Sequence, residues 1–410
     1  MDNGRVLHVV HAVASLAEAS GGPPRSIVDL SVRLASLGCK VDIVTLDNRK
    51  HFGPEVPCNS KEVKIHRVPT FYSKRLRVLY SPSYFDELRQ VAAGADLVHS
   101  HGIWLPVNRS AARVARELSL PHVVSVRGNF HPAALASSSW KKRIARFVSV
   151  DSDVNRAACL HATSMDERSM ISALGFNNPV AVLPAGVSLP VYGDEELRLT
   201  YEKCWPRFQK RRVLLFLGRI HPHKGVEYLA HAWSRLFYEN PDWHLVFAGG
   251  DEDDTVLKLK SILDHAGAQG SYTFTGVVSG LRKSALLSNC DLLVLPSRSE
   301  NFAHSVAEAL AAARPVLTTD TTPWQDLVKF GCGWRIPVGS TPLFEKLRDV
   351  LKFPASQLDE MGKHGRQLVS LQYDANQIAS DWVSVYDWVV SGRKSAIPSC
   401  VAAGSCADGV

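Results

Sequence analysis

No Cys-x-x-Cys pair occurs in this sequence, although it carries eight cysteines: Cys39, Cys58, Cys159, Cys204, Cys290, Cys332, Cys400 and Cys406. Without that spacing neither a zinc site nor a disulfide framework is indicated, and reduced, mostly buried thiols are expected. No apolar run approaches the length that spans a bilayer. The opening Met1-Asp2-Asn3-Gly4 lacks the basic segment and apolar core of an export leader, so a cytoplasmic location is expected. A Gly-x-Gly-x-x-Gly fingerprint is missing, which leaves dinucleotide binding without a signal. RNP-like, helix-turn-helix and finger patterns are missing too, so nucleic acid is not an expected partner despite a net charge of +7.

What is present is clustered basic charge and a long alternation of strand and helix patterns. The main basic groups are Lys74-Arg75-Leu76-Arg77, Lys141-Lys142-Arg143 with Arg146, and Arg207 with Lys210-Arg211-Arg212. Such groups are solvated faces, or what an enzyme needs on an anionic leaflet or around a polyphosphate. At 410 residues and 45% hydrophobic, the chain can bury two cores. The alternation predicts an α/β protein with parallel sheets covered on both sides. Its expected divisions are a first unit over residues 1–187, a linker with a short helix over 188–210, and a second unit over 211–373. A closing helix over 374–392 and a disordered, Ser/Ala/Gly-rich tail over 393–410 complete the chain. Residues 47–95 are the least regular part.

The stretch around which the chain is organised is Asp291–Pro315. Leu292–Leu295 reads as a strand buried on both faces and ended by Pro296. Ser299 or Asn301 can cap a helix carrying Phe302, Val306 and Leu310 at four-residue spacing, which Pro315 stops. Glu300 and Glu308 then bracket a strand-to-helix junction. The first-turn N–H groups of Phe302, Ala303 and His304 make that end an anion site. A ligand with hydroxyl-rich sugars flanking a diphosphate suits such a junction. The plainer reading is that Glu300 offsets the helix dipole and Glu308 is a solvated helix residue.

Three other loops carry polar groups at expected strand ends. Gly21-Gly22 follows the first strand, where backbone can approach a ligand closely. His101 ends a strand, and Arg127-Gly128-Asn129-Phe130-His131 ends the next. Gly218-Arg219-Ile220-His221-Pro222-His223-Lys224-Gly225 puts a guanidinium and an ammonium beside another junction, as a departing diphosphate requires. Asp251-Glu252-Asp253-Asp254 superficially offers an Asp-x-Asp metal motif, but its place before a helix favours a solvated capping loop.

Together these motifs resemble the GT-B retaining glycosyltransferases of family 4, most similarly the bacterial lipopolysaccharide and exopolysaccharide type. The resemblance covers residues 5–390 or so and rests on Phe216–Gly225, Leu295–Glu308 and Gly21-Gly22-Pro23-Pro24. It implies two Rossmann-like doubly wound domains facing each other across a cleft. It also implies retaining transfer of a sugar from a nucleotide diphosphate-sugar to a glycan or polyprenyl-diphosphate-linked acceptor, with no divalent metal expected; the basic clusters add an expected peripheral contact with an anionic membrane. By the same resemblance Arg219 and Lys224 hold the donor diphosphate, Glu300 contacts the transferred sugar and Glu308 the ribose. The segment Asn301, Phe302, Ala303, His304 and the Gly21-Gly22 loop complete the donor contacts.

Arg127 stands where many members have a histidine that contacts the sugar, and His131 or His101 is expected to share that task. Ala185 replaces an asparagine usual before Gly186-Val187, and Asp320-Thr321 replaces Lys-Gly ahead of Trp324. Two other readings stay open: a sugar-nucleotide epimerase of the same architecture, and a sugar-nucleotide-binding subunit without catalysis.

Overall fold

β1 (His8–Val13) leads into the helix Gly22–Ser36, which returns the chain to β2 (Lys40–Leu46) and β3 (Val63–Val68). The computed structural model describes residues 6–73, 78–136, 142–143, 145–189, 192–208 and 210–402. The cluster at 74–77, Lys141 and residues 403–410 of the expected tail lie outside them. The chain divides into two units: Met1–Gly186 together with Ala375–Val410, and Val187–Asp374.

In the first unit β4 (Phe71–Ser73) and β5 (Val78–Tyr80) form a separate antiparallel pair. β6 (Leu97–His101), β7 (His122–Ser125), β8 (Cys159–Ala162) and β9 (Val180–Val182) join the first three strands in a parallel sheet ordered β9-β8-β7-β6-β1-β2-β3. Strand order reverses between β1 and β6, the switch point where open α/β sheets bind ligands. The two faces follow from the period-two alternation of strand side chains. Val9, Val13, Leu97 and Val123 pack with Ile27 and Leu34 of the helix after β1 and with Ile378, Val385 and Val389 of the helix Ala375–Val390. Val10, Ala12, Val44 and Val98 pack on the opposite face against Tyr84, Leu88 and Val114.

The second unit repeats the design. β10 (Arg212–Leu217), β11 (Trp243–Ala248), β12 (Tyr272–Gly276), β13 (Leu292–Leu295), β14 (Val316–Thr319) and β15 (Gly333–Ile336) are all parallel and ordered β12-β11-β10-β13-β14-β15. The switch point is between β10 and β13, the strands that precede the Arg219–Gly225 loop and the Glu300 stretch.

The structure corrects three expectations and bears out one. Residues 47–95 contain β3 and the helix Tyr84–Ala92; β3 is an edge strand whose lysine, histidine and arginine dilute its apolar pattern. The short helix expected within the linker is present as Asp194–Cys204. The segment after residue 392 is not without structure throughout: Val401–Ala402 pairs antiparallel with β9, and Val401 is buried. The helix expected from Phe302 begins only at His304.

Candidate active site

The junction after β13 is built by constraint rather than by helix propensity. Ala303 takes the left-handed conformation (φ 65°, ψ 69°) and serves as N-cap of the helix His304–Ala311. An alanine there is strained, so its surroundings must hold it. The Phe302 ring lies 5.4 Å from Trp324 and 6.0 Å from Tyr373, and the Trp324 indole donates to the Phe302 carbonyl at 2.6 Å. Trp324 is therefore a buried brace. Because the helix starts late, Phe302 and Ala303 are loop residues, and Glu308 sits in the second helical turn.

Each glutamate meets a lysine from a neighbouring element. Lys224 Nζ reaches Glu300 Oε1 at 2.5 Å, and the buried Ser297 hydroxyl donates to the same oxygen at 2.6 Å. Lys283, on the helix Gly280–Asn289, reaches Glu308 Oε1 at 2.6 Å. The loops after β10 and β13 also join through their backbones, as Arg298 N–H donates to the His223 carbonyl at 3.0 Å. Their approach depends on Gly225 (φ 68°), where a Cβ would stand 1.9 Å from the Pro296 carbonyl oxygen. Lys224, Glu300 and Ser297 thus share one point, and Glu308 with Lys283 flanks it along the helix.

Arg219 grips Glu252 with one nitrogen, at 2.8 and 2.9 Å from its two oxygens. About half of each side chain is exposed, so the bridge is weak and exchangeable. Glu252 belongs to the acidic run. Its neighbour Asp251 accepts from Val256 N–H at 3.0 Å at the start of the helix Thr255–His265, so it acts as a cap. Asn301 and His304 lie on either side of the strained turn. Lys283 was not foreseen, since no motif marks it, and Glu252 was read only as part of a solvated capping loop.

In the first unit Gly21 (φ 87°) precedes the helix that starts at Gly22, and Ser26 lies in its second turn. Arg127 is also left-handed (φ 55°). It donates to the Ser26 hydroxyl at 3.2 Å and to His101 Nδ1 at 3.3 Å. His131 follows in the same turn, its N–H bonded to the Gly128 carbonyl. Gly21-Gly22, His101, Arg127 and His131 therefore lie at one sheet edge.

Behind them runs a row of buried polar side chains that the sequence reading did not assemble. His161 Nε2 meets the Leu183 carbonyl at 2.8 Å and so carries the proton. Its Nδ1 must then accept from Ser125 (2.7 Å), Ser125 from His99 Nε2 (2.7 Å), and His99 Nδ1 from the Tyr386 hydroxyl (2.7 Å). A second chain runs from Arg127 to His101 Nδ1, and from His101 Nε2 to His11 Nδ1 at 3.0 Å. It ends at His11 Nε2, which is buried without a partner. Burial, with Arg127 adding to it, holds His11 near 3 and His101 well below the ordinary imidazole value; burial also holds His161 near 3.

His11, His99 and His101 place ring nitrogens within 4.8 Å of one another, the spacing of a metal site. The donor set does not fit a cation. Both His99 nitrogens are committed to Tyr386 and Ser125, and the Arg127 guanidinium lies against His101.

Comparison with known proteins fits this construction. Residues 21–186 match the family model described as "Glycosyl transferase 4-like domain", and residues 199–368 match "Glycosyl transferases group 1". The chain belongs to the group 1, family 4 glycosyltransferases. Among its relatives is the GDP-mannose:cellobiosyl-diphosphopolyprenol alpha-mannosyltransferase of Xanthomonas oryzae pv. oryzae, 25% identical over 93% of each chain. Another is D-inositol 3-phosphate glycosyltransferase 2 of Catenulispora acidiphila, 29% identical over 73% of this chain and 74% of that one. A similar solved structure is Anabaena Alr3699/HepE in complex with UDP and glucose. It has a TM-score of 0.74 at 15% identity, and the match covers 93% of this chain and 99% of that one. The fold is GT-B.

Proposed function

We propose that this glycosyltransferase moves a sugar, with retention of anomeric configuration, from a nucleotide diphosphate-sugar to a phosphate-bearing acceptor of the polyprenyl-diphosphate class. The observation that carries the donor side is the paired junction of the second unit, Lys224–Glu300 and Lys283–Glu308, at the sheet's switch point. Glu308 accepts from vicinal ribose hydroxyls, and Lys283 keeps that carboxylate oriented. Glu300 orients the transferred sugar. Arg219 exchanges Glu252 for the diphosphate, and Lys224 adds a point charge. With the helix from His304, these groups stabilise the departing phosphate without needing a divalent cation. Retention follows from front-face attack, in which the leaving phosphate oxygen takes the acceptor proton. No pair of carboxylates as nucleophile and acid is then required.

The acceptor class is supported by the Xanthomonas relative, whose name specifies a diphosphopolyprenol, and by an exposed patch on the first unit. Phe147 is 93% exposed beside Arg143 and Arg146, a combination suited to an anionic lipid surface. Among the described residues no helix is long and apolar enough to cross a membrane, so attachment there would be peripheral. Salt-sensitive flotation on phosphatidylglycerol vesicles, weakened by Phe147→Ala with Arg143→Gln, is the expected result. Salt-independent or absent binding opposes it.

The donor reading is tested by a panel of nucleotide sugars with chelator present, scored for thermal stabilisation of the wild type, Glu308→Ala and Lys283→Ala. One base should raise the melting temperature of the wild type, and both variants should lose most of that shift. Equal shifts in all three proteins would remove the junction from donor binding.

A further inference from the structure

Arg127 poses a problem of charge. Burial draws its guanidinium down to about 10, so it remains a cation at neutral pH. Its hydrogen-bond partners, the Ser26 hydroxyl and His101 Nδ1, are both neutral acceptors, and its Nε is buried without a partner. Among the described residues no carboxylate lies within ion-pair distance of it. The nearest buried one, Glu167, is committed elsewhere: one oxygen takes the Gly128 N–H, and the other takes the Thr163 N–H at 2.7 Å and hydroxyl at 2.9 Å. Glu167 thereby clamps the left-handed turn that aims Arg127; its charge favours the cation from a distance, but it forms no direct ion pair with the guanidinium. A largely desolvated cation without a directly paired counter-ion is costly.

The groups around Arg127 point the same way. The helix beginning at Gly22 directs its N-terminal dipole to this edge, and the second hydrogen-bond chain ends in the unpartnered donor His11 Nε2. His101 and His11 stay neutral, so neither competes with Arg127 for an anion. All these groups belong to the first unit, whereas Arg219 and Lys224 belong to the second.

We infer that Arg127, backed by His101 and His11 and set at the start of the helix Gly22–Ser36, is a phosphate-binding site of the first unit. Its ligand is a phosphate or diphosphate ester, supplied by the acceptor or by the donor. This gives Arg127 an anion to hold rather than the sugar contact expected of a histidine at its position. The inference rests on the glycosyltransferase reading only for the identity of that ester.

The test is calorimetric titration of the full chain with inorganic pyrophosphate, and separately with the nucleoside diphosphate selected by the donor panel. Proteins compared are the wild type, Arg127→Gln, Arg127→Lys and Arg219→Gln. Pyrophosphate should bind nucleotide-free wild type and Arg219→Gln, and Arg127→Gln should weaken that binding at least about tenfold, with Arg127→Lys intermediate. Unchanged nucleotide affinity in Arg127→Gln assigns the site to the acceptor's phosphate; a tenfold loss assigns it to the donor's. Wild-type affinity for both ligands in Arg127→Gln overturns the inference. Should that variant not fold, wild-type affinities in Arg127→Lys overturn it equally. Failure of any nucleotide to bind the wild type would count against the donor reading alone, since pyrophosphate binding still reports on Arg127.

Discussion

Gly225 and Lys283 show how differently single residues reach this site. Gly225 combines a positive φ with a carbonyl oxygen 1.9 Å from where a Cβ would lie, so Gly225→Ala must move the β13 loop. A loss of roughly 2–4 kcal/mol is expected, with a lower melting temperature and a displaced Glu300. Urea denaturation checks it, and a midpoint equal to wild type would show that the loops do not depend on this approach. Gly225 was visible in the motif. Lys283 was not, because its role depends on a helix that the sheet order carries back beside Glu308. The strained Ala303 was equally hidden: alanine gives no sign of a left-handed turn, and the aromatic brace comes from Trp324 and Tyr373, far along the chain.

At the scale of elements, central strands were the most legible. β8, β11 and β13 are short apolar runs buried on both faces, and such runs announce themselves without any partner being known. Edge strands were less legible: β12 could be read from its sequence, but β3 and β15 could not, since each carries charge where one side meets solvent. The closing helix was foreseen from its apolar periodicity. What it does chemically was not: Tyr386 donates to His99, and the Trp382 ring lies 4.8 Å from His99 and 4.7 Å from His161. Tyr386→Phe would leave His99 Nδ1 as a buried acceptor without a donor, at a cost of about 1–3 kcal/mol. Hydrogen exchange should show the helix Ala375–Val390 opening more readily in that variant. Unchanged protection would mean that apolar packing alone holds the helix.

Across the whole molecule the buried imidazoles give a pH dependence of known sign. His11 and His161 titrate near 3 and His122 near 4 in the folded state, against 6.5 for a free imidazole. The unfolded chain therefore binds more protons below pH 6.5. The stability these groups support is fully present above that value and is lost as pH falls toward their folded values. Each contributes a slope of about 1.4 kcal/mol per pH unit in that window. Denaturation at pH 7, 6 and 5 should show a steep loss, shallower in His161→Gln; a flat profile would mean that these imidazoles accept protons without unfolding.

The central claim concerns chemistry, and the anomeric configuration of the released sugar tests it most directly. In the absence of acceptor, slow hydrolysis of the preferred nucleotide sugar can be followed by proton NMR with chelator present. The account expects the first sugar released to have the donor's own anomeric configuration, at a rate the chelator does not change and Glu308→Ala lowers. Release of the opposite anomer, or a reaction that stops when divalent ions are removed, would contradict it.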